Sequence, residues 1–302
     1  VYCGLFFLIN LGIELKEITV NRDLIQKYTT RDSRFLVFDD TLIHYREEGD
    51  REAFPLLLLH GAFSSLHTYN GWVKELKKDF RIIRIDMPGF GLTGPNQRGE
   101  VHGMVMYKRC VLTILDRLKI EKCHIAGSSL GGWVSWEFAA DYPERVGKVI
   151  LIGAAGFLEQ KNIPLPFKMA RTPFASKVAR FAVTRKMLEQ FIYQVYFDKN
   201  KVSEALIDRY YDLFTQEGNL KVFFEMANAK VQEATDKLRE ITAETLLMWG
   251  KHDSWIPVEN VYRFHRRLQH SSILIYEDCG HLPMEELPRQ SAADVREFLM
   301  NE

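Results

Sequence analysis

Ile125-Ala126-Gly127-Ser128-Ser129-Leu130-Gly131-Gly132 joins a short apolar run to a helical one and leaves a serine at the joint. Residues 122–126 read as a strand and residues 130–140 as a helix. Tyr142-Pro143 stops that helix, because the residue before a proline is pushed out of helical backbone. Glycines two positions before and two after Ser129 let the strand turn sharply into the helix without Cβ clashes, which leaves the hydroxyl exposed at the carboxyl end of the strand. The helix N-terminus behind it favours developing negative charge. Ser128 is the rival serine, but it lacks the flanking glycine spacing. A Gly-x-Ser-x-Gly match alone is weak; between strand and helix it is specific.

Outward from that joint, residues 55–59, 81–85 and 146–152 are apolar runs of the length of buried parallel strands. Val111, Ile114, Leu115 and Leu118 repeat at helical spacing and share one helix face. The same grammar resumes with a strand at 245–249, a helix at 257–268, a strand at 272–276 and a helix at about 289–300. Residues 34–38 and 41–46 flank Asp39-Asp40 as an antiparallel hairpin at the sheet edge. Alternating strands and helices with short connections imply an α/β fold, a mostly parallel sheet covered on both faces. Residues 157–240 break the rhythm with Pro164, Pro166 and Pro173 and then helical patterns, and are expected to form a helical cap. The core is then 35–156 plus 241–302.

Residues 1–13 are apolar and uncharged, shorter than the roughly 20 residues needed to span a bilayer, and read as the remnant of an anchor or signal. That reading favours membrane association through the N-terminus, with a soluble cytoplasmic protein as the alternative. Residues 14–34 read as a charged linker. Over 302 residues Lys+Arg and Asp+Glu both number 40, a balance that argues against a nucleic-acid partner. Cys3, Cys110, Cys123 and Cys279 are widely spaced and form no metal-ligand pattern, so no metal site is expected.

A serine hydroxyl needs a base within hydrogen-bond reach. His281, in Asp278-Cys279-Gly280-His281-Leu282-Pro283, lies between the last strand and the last helix, at the same sheet edge as Ser129. The carboxylate that orients it is expected at Asp253, in the loop after strand 245–249, with Asp278 as competitor. For a tetrahedral oxyanion, one donor is expected from the amide of Leu130. The other comes from His60-Gly61-Ala62-Phe63, at Ala62 with Phe63 as fallback. His60 is read as bracing its loop, and the Gly-rich run 86–91 as a turn, since it lacks the ending of a phosphate loop.

Together, Leu-His-Gly at 59–61, Asp-x-Pro-Gly-Phe-Gly at 86–91, Gly-Ser-Ser-Leu-Gly at 127–131, Gly-Lys-His-Asp at 250–253 and Gly-His at 280–281 resemble the capped members of the α/β-hydrolase superfamily over about residues 35–300. The resemblance implies an eight-stranded sheet, a cap over the site, and hydrolysis without metal or organic cofactor. Serine at the elbow, where epoxide- and halide-displacing relatives carry aspartate, points to cleavage of an ester or related acyl bond in a small, apolar acyl substrate. Carbon–carbon bond hydrolysis of vinylogous diketones with the same triad is the alternative, and a non-catalytic ligand-binding protein of this fold a third.

Overall fold

A computed structural model describes residues 22–98, 102–157, 163–171, 183–229 and 234–301. The strands are β1 (Ser33–Phe38), β2 (Thr41–Glu48), β3 (Pro55–Leu59), β4 (Arg81–Ile85), β5 (Cys123–Ser128), β6 (Val146–Ile152), β7 (Thr245–Gly250) and β8 (Ser271–Tyr276). They form one eight-stranded sheet in the order β1-β2-β4-β3-β5-β6-β7-β8. β1 and β2 pair antiparallel, β2 pairs antiparallel with β4, and every later pairing is parallel. The hairpin turns through Asp39 and Asp40 at φ 46° and 62°, backbone that short polar side chains tolerate.

The helices are α1 (Arg22–Tyr28), α2 (Asn70–Leu76), α3 (Met104–Arg117), α4 (Leu130–Asp141), α5 (Leu165–Ala170), α6 (Arg185–Val195), α7 (Glu204–Thr215), α8 (Asn219–Asn228), α9 (Glu259–His265), α10 (Pro283–Glu286) and α11 (Pro288–Met300). Strand side chains alternate between faces, and the core divides accordingly. Leu57, Leu59, Ile83, Ile85, Ile125 and Leu151 pack with α3, α4 and α9. Leu56, Leu58, Ile82, Ala126 and Ile150 pack on the other face with α2 and α11, in one cluster with buried residues of α6, α7 and α8. Each such side chain taken fully out of water contributes about 1.5–3 kcal/mol.

Between β6 and β7 the described residues form helices α5 to α8 and short 3-10 turns, with no strand among them. Thr184 and Ser203 cap α6 and α7 by accepting the amides of Met187 and Leu206, each at 3.2 Å. On α6, Leu188, Phe191, Ile192 and Val195 repeat at i, i+3, i+4 and i+7 and are all buried.

The stretch read as a linker, 14–34, is corrected in its second half. Arg22–Tyr28 is helix α1, and β1 already starts at Ser33. Its charged residues conceal one apolar anchor: Ile25 packs against Leu92 and Leu213. Tyr28 then donates through its hydroxyl to Asp212 of α7 at 2.6 Å, and its carbonyl accepts from Arg46 Nη2 at 2.6 Å. The apolar segment 1–13 lies outside the described residues. Among those described, no helix is long and apolar enough to cross a membrane.

Candidate active site

Ser129 stands between β5 and α4 at φ 53°, ψ −114°, backbone that costs a non-glycine residue about 1–3 kcal/mol. The neighbours fix it there. Its amide donates to Ile152 O at 2.9 Å, and its carbonyl accepts from Trp133 and Ala155, each at 3.0 Å. A Cβ at Gly131 would lie 2.2 Å from Leu59 O, and one at Gly127 would lie 2.2 Å from Gly131 O. The elbow therefore presses directly on β3 and on itself, which is why both flanking positions are glycine.

Asp253 and His281 meet at the same edge of the sheet. Asp253 follows β7, and its Oδ1 accepts the amides of Trp255 at 2.9 Å and Ile256 at 2.8 Å. Its Oδ2 lies 2.6 Å from His281 Nδ1, with both residues buried. Asp253, not Asp278, is thus the partner of His281. A proton on Nδ1 directed at this carboxylate leaves Nε2 as the acceptor. Nε2 is buried and has no hydrogen-bond partner among the described residues. His281 and Ser129 line one cleft together with Gly61, Ala62 and Phe63.

The oxyanion candidates reach this cleft too. The amides of Ala62, Phe63 and Leu130 donate to no backbone acceptor among the described residues, and Leu130 opens α4, where first-turn amides lack intrahelical partners. Phe63 takes φ 64°, and its ring packs against Phe223, Phe214, Phe167 and Trp255. His60 uses both ring nitrogens away from the cleft: Nδ1 meets Gly61 O at 2.8 Å and Nε2 accepts the Met87 amide at 3.0 Å. Burial pushes its pKa down, so it braces the two loops as a neutral ring.

The wall facing Ser129 is apolar, formed by Leu188, Phe191, Ile192 and Val195 of α6 with Trp255 and Leu282. Of the aromatic residues between β6 and β7, Phe191 and Tyr210 line the cleft, Phe214 and Phe223 pack on Phe63, and Phe197 stacks on His252. Sequence reasoning missed the polar end. Tyr210 OH donates to Glu285 Oε1 at 2.7 Å and takes a 3.4 Å contact from Ser64 Oγ. Glu285 also accepts from Thr68, Tyr196 and Arg209 at 2.5, 2.7 and 3.0 Å. Burial first, then the charge of Glu285, raises the Tyr210 pKa, so this hydroxyl stays a donor. No local motif marks Tyr210 among the other cap aromatics. Among the described residues no group of three metal-ligating side chains is clustered.

The chain is 28% identical over 251 residues to 2-hydroxy-6-oxo-6-phenylhexa-2,4-dienoate hydrolase of Comamonas testosteroni, covering 80% of this chain and 85% of that protein. It is 29% identical over 258 residues to 2-hydroxy-6-oxo-2,4-heptadienoate hydrolase of Pseudomonas putida, covering 82% and 90%. Among solved structures, a bacterial membrane phospholipase A superposes with a TM-score of 0.78 at 23% identity, over 98% of this chain and 95% of that one. A meta-cleavage product hydrolase from Pseudomonas fluorescens gives 0.75 at 23% identity, over 88% and 97%. At such identities the two structures speak for the fold alone. The family model for the alpha/beta hydrolase fold matches residues 55–288, a span that holds the elbow and the loops of Asp253 and His281. The chain belongs to the α/β-hydrolase superfamily.

Proposed function

We propose that the chain hydrolyses an ester or related acyl bond of a substrate with an apolar acyl group, by way of an acyl-Ser129 intermediate. Ser129 Oγ attacks the carbonyl while His281 Nε2 takes its proton, and Asp253 stays ionised and holds the imidazole tautomer. The amides of Leu130 and Ala62 receive the oxyanion, each worth roughly 3–4 kcal/mol of barrier. His281 then protonates the leaving group, and water repeats the sequence to free the acid.

One observation carries the choice of substrate. Among the described residues lining the cleft none is Lys or Arg, and the wall opposite Ser129 is the apolar face of α6. An apolar acyl chain fits that wall without an unpaired buried charge.

A second reading has its own support. The relatives quoted above are hydrolases of 2-hydroxy-6-oxo-dienoates, and likeness alone therefore favours carbon–carbon cleavage of a vinylogous diketone. Such a substrate carries a carboxylate, which calls for a cation in a buried site. Side-by-side assays of p-nitrophenyl acetate, p-nitrophenyl octanoate and 2-hydroxy-6-oxo-6-phenylhexa-2,4-dienoate separate the two. The octanoate is expected to give the highest kcat/KM. Preference for the dienoate would replace the ester reading with the carbon–carbon one.

A further inference from the structure

Glu286 ends α10 just after His281 in the chain, and it is buried. Its two carboxylate oxygens serve two different parts of the protein. Oε1 accepts the Gly280 amide at 2.7 Å and faces the Cys279 thiol at 3.6 Å. Oε2 accepts the amides of Phe197 at 2.8 Å and Asp198 at 3.2 Å, directly after α6. Lys201 Nζ, from the same side, donates to the Glu286 carbonyl at 2.9 Å.

The seam continues on both sides of this carboxylate. The His281 amide donates to Val195 O at 2.7 Å, and Ser254 Oγ donates to Gln194 O at 2.6 Å. The Phe197 ring stacks on His252 with centroids 4.3 Å apart. Residues 194–198 therefore grip the loops that carry His281 and Asp253. Gly280 leaves no slack in the grip: a Cβ there would lie 2.3 Å from Val195 O and 2.9 Å from both Glu286 Oε1 and Phe197 N.

We propose that Glu286 is a positioning residue for the hydrolysis, tying the acyl-facing wall of α6 to the His281 loop so that substrate wall and imidazole move as one body. The proposal rests on the assignment of Ser129, His281 and Asp253 made above. The wall supplies Leu188, Phe191, Ile192 and Val195, and the last of these also holds the His281 amide. An acyl group seated on α6 is thereby held in register with Nε2.

Two variants test it by different means. Glu286→Gln keeps the shape but turns an NH2 group toward one of the two sets of amides, which then loses its acceptor. Gly280→Ala keeps the charge and drives a methyl group into the seam. Each should slow fluorophosphonate labelling of Ser129 and lower kcat by about 10- to 100-fold, the cost of an ångström-scale misplacement, with KM within about threefold. Arg185→Ala, which cuts the α6–α7 ion pairs to Glu204 and Asp208, is the control and should label like wild type. Wild-type labelling in whichever of the two seam variants folds, checked by its melting curve, overturns the proposal. A wild-type protein that does not label would instead sink the nucleophile assignment, for which Ser129→Ala gives the baseline.

Discussion

Among the described residues there are two buried histidine–aspartate pairs of nearly equal length. His281 Nδ1 lies 2.6 Å from Asp253 Oδ2, and His44 Nδ1 lies 2.7 Å from Asp86 Oδ2. They differ at the far side of the ring. His44 Nε2 meets Ser33 Oγ at 3.0 Å, whereas His281 Nε2 has no partner among the described residues and opens on the cleft with Ser129. The carboxylates differ in their work as well. Asp86 also accepts the amides of Leu66 at 2.7 Å and Leu92 at 2.9 Å, pinning two loops. A buried imidazole–carboxylate pair is therefore not by itself a catalytic device. It becomes one where the second nitrogen is left for a proton that must move.

The largest expected effect falls on the pair that faces the cleft. Ser129→Ala should lower kcat by about 10⁶-fold, while the melting temperature stays near wild type. More than a few per cent of residual turnover would show that another group does the attacking. Asp253→Asn should cost about 10⁴-fold, because the amide favours the wrong imidazole tautomer. Steady-state kinetics on folded enzyme quantified by absorbance reads both.

At the second pair the loss should appear in stability and not in turnover. Asp86→Asn leaves His44 and two loop amides facing a poorer acceptor, and should destabilise by about 3–5 kcal/mol in urea titration, with kcat per folded molecule within a few-fold. An equal loss of kcat would erase the distinction drawn above. Burial by itself would raise the Asp86 pKa, but the hydrogen bond it accepts from His44 outweighs burial and holds it below the usual carboxylate range. The backbone donors act in the same direction. A depressed carboxylate pKa adds stability that is present above the unfolded value near 3.8 and is lost as pH falls below it. Between about pH 4 and pH 2, wild type should therefore lose stability more steeply than Asp86→Asn. The smallest effect is expected on the wall: Phe191→Ala should change the octanoate-to-acetate ratio of kcat/KM by about 10-fold, in the range set by a few methylenes.

Much of this was legible in the chain because the relevant signals are local. β3 is an unbroken apolar run, β4 and β6 are runs interrupted by Arg84 and Lys148, and the ends of all three match the expectation. Ser129 directly follows β5, and Asp253 and His281 lie in the loops after β7 and β8, so topology alone brings them to one edge. Non-local features stayed hidden. Helix α1 is a charged segment with Ile25 as its one buried residue, and its anchors, Asp212 and Leu213, lie in the cap. Tyr210 and Glu285 are distant in sequence and look like ordinary surface-helix residues until α7 and α10 are brought together. Two adjacent glutamates, 285 and 286, have different duties that nothing in Met284-Glu285-Glu286-Leu287 distinguishes. The helix expected over 257–268 is shorter as α9, which spans Glu259–His265.

Phe63 joins two fates. Its backbone sits beside the Ala62 amide in a left-handed turn, and its ring is wedged among Phe223, Phe214 and Phe167 of the cap and Trp255 of the Asp253 loop, with centroids 4.4 to 5.6 Å apart. Warming that loosens this aromatic cluster should release the turn before the sheet lets go. Catalysis should then fade at a lower temperature than the one at which far-ultraviolet dichroism reports melting, and it should return on cooling as long as the strands have stayed paired.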